Sequence, residues 1–157
     1  MKKTSLHKKF PPSSPCSCDI CVNYCRRPGW WTVEEADRAI KAGMGERIML
    51  EVSPEMTFAV LSPAFKDNEC SFAYNEFSKN KCLFLKNNQC ELFGTGLIPL
   101  ECRFCHHERT GWGEECHNAL ERDWNTEAGQ KIIDKWIERI NFDKKDMYYS
   151  LINRRIK

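Results

Sequence analysis

Val33, Ala36, Ala39 and Ile40 recur at the three- and four-residue spacing of a helix with one apolar face. Thr32 and Glu35 just before them have the form of a capping box: the threonine hydroxyl accepts from the Glu35 amide and the glutamate reaches back. The spacing predicts a helix from about Val33 to Ala42, stopped at Gly43. Ile132, Ile133, Trp136, Ile137 and Ile140 form a second stripe, with Asp134, Lys135, Glu138 and Arg139 on the other side. That pattern predicts a core-facing helix capped by Asn125 or Thr126; a partner-binding helix is the competing reading. Glu114 to Trp124 reads as a short helix after the Gly111-Trp112-Gly113 turn, and Met147, Tyr148, Leu151 and Ile152 as one more.

Elsewhere the apolar residues come in short blocks. Ile48 to Val52 and Thr57 to Leu61 read as strands separated by Ser53-Pro54, the second ended by Ser62-Pro63. Leu83, Phe84 and Leu85, then Asn87-Asn88, then Leu92 and Phe93 predict a hairpin, because asparagine tolerates the positive φ of a tight turn. With a two-residue turn, Leu85 pairs with Cys90 and Cys82 with Phe93, which turns the two cysteines to opposite faces unless a bulge shifts the phase. Lys66 to Asn80 reads as a polar loop anchored by Phe72, Tyr74 and Phe77. Trp30 and Trp31 are expected to cover the cysteine loop before them, by packing rather than by stacking on a ligand. The pattern as a whole predicts an α+β fold: a small, metal-stabilised single domain with short strands or a hairpin, irregular cysteine loops and about three to four helices. Residues 1–15, with their lysines and Pro11-Pro12-Ser13-Ser14-Pro15, are expected to form a disordered basic tail, and residues 16–157 one domain.

Charge changes this picture little. A net charge of +2 does not call for a polyanionic partner. No apolar run approaches the ~18–20 residues of a membrane span, and the N-terminal lysines are not followed by the apolar stretch of an export signal. The expectation is a cytoplasmic chain with reduced thiols, no membrane and no disulfide framework.

The ten cysteines change it a great deal. Their clustering favours metal thiolates over inert buried thiols, because a metal site needs several sulfurs close together and short spacing brings them there. Cys16, Cys18, Cys21 and Cys25 follow C-x-C-x2-C-x3-C, with a thiolate knuckle expected at Cys18–Cys21, where turn amides donate to sulfur. Cys82, Cys90, Cys102 and Cys105 make the second set. Cys102, Cys105 and Cys116 with one of the nearby histidines would compose a Cys3His zinc site. Cys70 stands alone and reads as a satellite thiol; whether it, His106, His107 or His117 ligates stays open.

Cys82-Leu83-Phe84-Leu85, Cys90-Glu91-Leu92-Phe93 and Pro99-Leu100-Glu101-Cys102-Arg103 together resemble the motif of the YkgJ-type cysteine cluster family, the CxxCxxCC or zinc/iron-chelating domain. The likeness covers about Cys16 to Cys105. It departs where the family's opening run ends in adjacent cysteines and where the family's Arg before Pro is Ile98. The same pattern is similar to part of the flagellin lysine-N-methylases, in which the cysteines are thought to hold an iron–sulfur cluster. The resemblance implies a metal centre, either an iron–sulfur cluster (4Fe-4S) or zinc, and no specific activity.

A metal-binding protein whose centre is structural or accessory is therefore the leading functional expectation, with an unknown protein partner. An iron–sulfur redox or methyl-transfer enzyme is the alternative, although no Ser-His-Asp order, Gly-rich phosphate loop or paired general acids stand out. A zinc module binding nucleic acid is disfavoured, because the basic residues are scattered and the spacing fits no common finger.

Overall fold

The computed structural model describes residues 8–27, 29–53, 58–66, 68–70, 81–110 and 113–140. Within them the fold is mixed α+β, with four α-helices and two small antiparallel sheets. The helices are α1 (Asp19–Tyr24), α2 (Val33–Lys41), α3 (Gly113–Trp124) and α4 (Glu127–Arg139). One sheet pairs β1 (Ile48–Val52) with β2 (Ala59–Pro63), and the other pairs β3 (Leu85–Lys86) with β4 (Gln89–Cys90). The expected aromatic anchors at 72–77 and the helix at 147–152 lie outside the described residues.

Helix α2 begins as its sequence predicts. Thr32 Oγ1 accepts from the Glu35 amide at 3.1 Å, and Glu35 Oε2 accepts from the Thr32 amide at 2.9 Å. The first-turn amide of Val33, which no helix carbonyl can satisfy, donates to Asp123 Oδ2 of α3 at 2.7 Å. The helix ends at Ala42, followed by Gly43 at φ +84°, a conformation that favours glycine. Thr126 caps α4 by accepting from the Gly129 amide. Helix α1 was not foreseen in the cysteine loop. There Cys18 is the N-cap, its sulfur taking the place of a serine or aspartate oxygen and accepting from the Cys21 amide at 3.5 Å.

Strand β1 falls where expected, whereas β2 runs two residues further than predicted and includes Ser62 and Pro63. The proline is tolerated at the end of a two-stranded ladder, opposite Ile48. All of β1 is buried. Ile48, Leu50 and Val52 join the main core, while Met49 joins a smaller cluster with Ala64 and Phe65, so both faces of the strand are covered. Trp30, Trp31 and Trp124 lie in the main core with no exposure. Each finds a partner for its indole N–H: Glu51 Oε2, the Leu97 carbonyl and the Trp31 carbonyl, all at 2.7 Å. An aromatic side chain buries about 150–250 Å². At ~25 cal/mol per Å² that is an upper bound of roughly 4–6 kcal/mol each. These rings bind α2, α3 and the 97–101 loop into one core, and packing is their role.

The β3–β4 hairpin has the predicted register, Leu85 opposite Cys90, with Asn87 at φ 53° and Asn88 at φ 62°. The ladder is only two residues long, and Cys82 does not continue it opposite Phe93. Instead Cys82 bridges Phe65, and its amide donates to the Cys25 carbonyl at 2.7 Å. The chain turns at Leu83–Phe84, with the Leu85 amide donating back to the Cys82 carbonyl. Side-chain alternation therefore does not run from Cys90 to Cys82, and nothing forces them to opposite faces.

The segment expected to be a tail is partly docked. Residues 1–7 lie outside the described residues, but Phe10 is buried at 5% exposure and meets the Phe104 ring edge-on at 5.2 Å. Arg103 donates to the Phe10 carbonyl, and Arg109 to the carbonyls of Pro11 and Pro12. A proline-rich stretch has few amides for a ladder, so arginines from the far side of the chain hold it by its carbonyls.

Candidate metal centre

The chain folds its cysteines into two neighbouring groups. The first joins the opening cysteines to the short helical turn after Cys105 (His107–Arg109). Cys16, Cys18 and Cys21 place their sulfurs 3.6, 3.6 and 3.3 Å from the same atom, His107 Nδ1. His106 stacks on His107 with ring centroids 4.3 Å apart. Donor atoms of Cys16, Cys21, His106 and His107 lie within 4.8 Å of one another, and this group can hold a metal ion. The His107 amide donates to Cys21 Sγ at 3.4 Å, adding to the Cys21–Cys18 contact of the knuckle. Cys18 is exposed, and the Cys21 amide pointing at its sulfur holds its thiol down to about 7. Burial pushes the Cys21 thiol up to about 12.

The second group is all sulfur. Cys25, at the C-terminal end of α1, lines a cavity of about 70 Å³ together with Cys82, Cys90, Cys102 and Cys105, and Cys16 and Cys21 reach its edge. Burial pushes Cys25 up to about 12 and raises Cys82 and Cys90, and neighbouring thiols of the group add to the rise in each. Cys102 is raised through its contact with Cys105 and then by burial. Opposing this, the Phe84 amide faces the Cys82 sulfur and the Leu92 and Phe93 amides face that of Cys90. The Gly29 amide donates to Cys102 Sγ at 3.2 Å. Amides aimed at sulfur stabilise the thiolate form that metal requires. A cavity needs only ~10–15 Å³ for one water, so this one admits a multi-atom group. Its remaining wall is largely apolar, from Leu85, Leu92, Phe93 and Ile98.

Close backbone approach builds this wall. A side chain on Gly29 would meet the Cys102 backbone, with its Cβ 2.8 Å from Cys102 Sγ. The Glu101 amide donates to the Trp30 carbonyl, so the segment after α1 lies along the Glu101–Phe104 turn.

Of the expected ligands, Cys116 alone lies outside both groups. It is fully buried on α3, in line with Ala119 and Leu120, and its neighbour His117 packs between the rings of Trp30 and Phe58. The helical period of α3 turns Cys116 to the core, where burial first, and then the nearby Glu101, Glu35 and Cys105, push its thiol up. Cys70 also stands apart; its amide donates to the Ile48 carbonyl and it packs against the core. All ten cysteines are free thiols, with no disulfide between them. Among the described residues no helix is long and apolar enough to cross a membrane. No family model, curated protein or solved structure matches the chain.

Proposed function

We propose that this chain is a cysteine-cluster metal protein whose main centre is an iron–sulfur cluster held by thiolates of the ring Cys25, Cys82, Cys90, Cys102 and Cys105. The observation that carries the reading is that Cys25, Cys82, Cys90, Cys102 and Cys105, from three separate stretches of chain, line one largely apolar cavity, with Cys16 and Cys21 at its edge. A single zinc ion with Zn–S bonds of about 2.3 Å draws its donors to within about 4.6 Å of one another. A cavity lined by thiols from three stretches of chain, with space for a multi-atom group, suits a polynuclear core that takes four thiolates. Cys82, Cys90 and Cys102 are also the cysteines that carry the likeness to the YkgJ-type family, which supports the same reading.

When bound, such a cluster would supply electron transfer or structural cross-linking. The chain's own residues would hold it, exclude water with Leu85, Leu92 and Phe93, and stabilise the thiolates through the Phe84, Leu92, Phe93 and Gly29 amides. The role assigned to the centre is structural or accessory.

Purification without oxygen tests the reading. Brown protein with about four iron and four acid-labile sulfide per chain is the expected result. Colourless protein carrying only zinc in the ring would overturn the cluster, and protein that takes up neither metal would overturn the metal-binding reading altogether.

A further inference from the structure

The group at His107 has a geometry that thiols and imidazole alone do not explain. A neutral imidazole nitrogen offers one lone pair, or one N–H. Three thiols, those of Cys16, Cys18 and Cys21, nevertheless crowd the same His107 Nδ1 at 3.3–3.6 Å. Only one of them can hydrogen-bond to it at a time. The three sulfurs also contact one another. Three sulfurs and one nitrogen in mutual contact outline a tetrahedron. An ion at its centre, with Zn–S bonds of about 2.3 Å and Zn–N bonds of about 2.0–2.1 Å, sets S···N edges of about 3.5 Å. The observed separations match those edges.

We propose that Cys16, Cys18, Cys21 and His107 form a mononuclear zinc-class site, distinct from the thiol ring, that pins the docked N-terminal segment to the turn after Cys105. The other ring nitrogen of His107, Nε2, lies 3.9 Å from Glu108 Oε1, within an ion-pair distance but beyond a hydrogen bond, so a carboxylate stands near the nitrogen that a ligating histidine presents to its outer partner. Amides of Cys21 and His107 pointing at Cys18 and Cys21 temper the charge of three thiolates on one divalent ion. His106 is the competing fourth donor, but its Nδ1 already accepts from the Glu108 amide at 3.2 Å. Its ring stacks against His107 and borders the cavity.

The ion would join residues 86 to 91 positions apart in the chain. Cys16 and Cys21 also line the cavity, so the site closes one side of it. Phe10 in the core, the Phe10–Phe104 contact and the arginine bonds to carbonyls also hold residues 10–15. Occupation of the site would add a further hold on the segment that lines the cavity through Ser13 and Ser14.

X-ray absorption at the zinc edge, on the full chain loaded with one equivalent of zinc, tests the site without any variant. Three sulfurs at about 2.3 Å and one nitrogen at about 2.0–2.1 Å are expected. Four sulfurs, two sulfurs with two nitrogens, or no uptake would overturn the proposal. Cobalt titration of variants gives a second reading. His107→Ala and Cys18→Ser should weaken tetrahedral cobalt binding by at least the ~10–100-fold that loss of an outer-shell partner costs. His106→Ala and Cys70→Ser should leave it within about threefold. Retention in Cys18→Ser with loss in His106→Ala would reassign the fourth ligand and overturn the set proposed here. The iron and sulfide content of the ring is read separately, so either centre can fail while the other stands.

Discussion

At Gly29 the backbone passes so close to Cys102 that the residue has no room for a side chain, and the same approach lets its amide reach the sulfur. Gly29→Ala should push the 29–31 segment off Cys102, costing about 1–3 kcal/mol as overpacking does. Because the strained contact is at a ring cysteine, iron content should fall along with the melting temperature. A variant that keeps both would mean that the approach is incidental. Cysteines can be sorted in the same way. Cys70 touches neither group, and Cys70→Ser should leave metal content unchanged, whereas Cys102→Ser should lose metal and stability together. The buried thiols also set a pH dependence. Burial raises Cys21 and Cys25 to about 12, so both are protonated at neutral pH. In the metal-free protein their contribution to stability is fully present below the ordinary thiol pKa of about 8.5 and lost as pH rises toward 12. Metal binding runs the other way, since thiolate ligation must expel these protons. Titrating metal in a weakly buffered solution should release acid, and affinity should climb as pH is raised. Uptake with no proton release would contradict the thiolate assignment.

Among the elements, the capping box of α2 and the β3–β4 hairpin form from local chemistry alone. Thr32→Ala removes the hydroxyl that accepts the Glu35 amide and should cost about 1 kcal/mol, seen as a lowered melting temperature. The hairpin is held from outside its ladder. Arg47 lies over the Phe84 ring at 3.9 Å and donates to both the Leu83 carbonyl and Glu91. The Arg47 guanidinium, with Lys86 beside it, holds the Glu91 carboxyl down to about 2. Its pKa is lowered on folding, so the contribution is present above the ordinary carboxylate value and fades as pH falls from about 4.5 to 2. Solvent screening keeps it small. Glu91→Gln should flatten that part of the acid unfolding curve; an unchanged curve would mean the pair contributes nothing measurable. The hairpin register was legible because two asparagines specify a positive-φ turn. Its length was not, because Cys82 was drawn to Phe65 and Cys25 by contacts far away in sequence.

For the whole molecule, the composition was a sound guide to chemistry and a poor one to partition. The cysteine spacing pointed to metal; α2 and α4 followed from period and capping, with the α4 cap narrowed to Asn125 or Thr126, β1 from its branched residues, α3 from the turn before it and the hairpin tip from Asn87-Asn88, signals that all act within a few residues. Two features had no local signal. One is the docking of Phe10 through Pro12, which depends on Arg103 and Arg109, 93 to 98 positions away in the chain. The other is the sorting of the opening cysteines. Cys16, Cys18 and Cys21 go to His107, while Cys25, at the far end of α1, goes to the ring. Cys116, which has the right neighbours in sequence, is carried into the core by the period of α3. The sequence by itself thus determined which atoms are available as ligands and which short elements carry them, because those depend on residue type and nearest neighbours. The tertiary structure alone decided which donors share a site, because that depends on the direction each sulfur faces once α1, the hairpin and the Glu101–Phe104 turn have packed together.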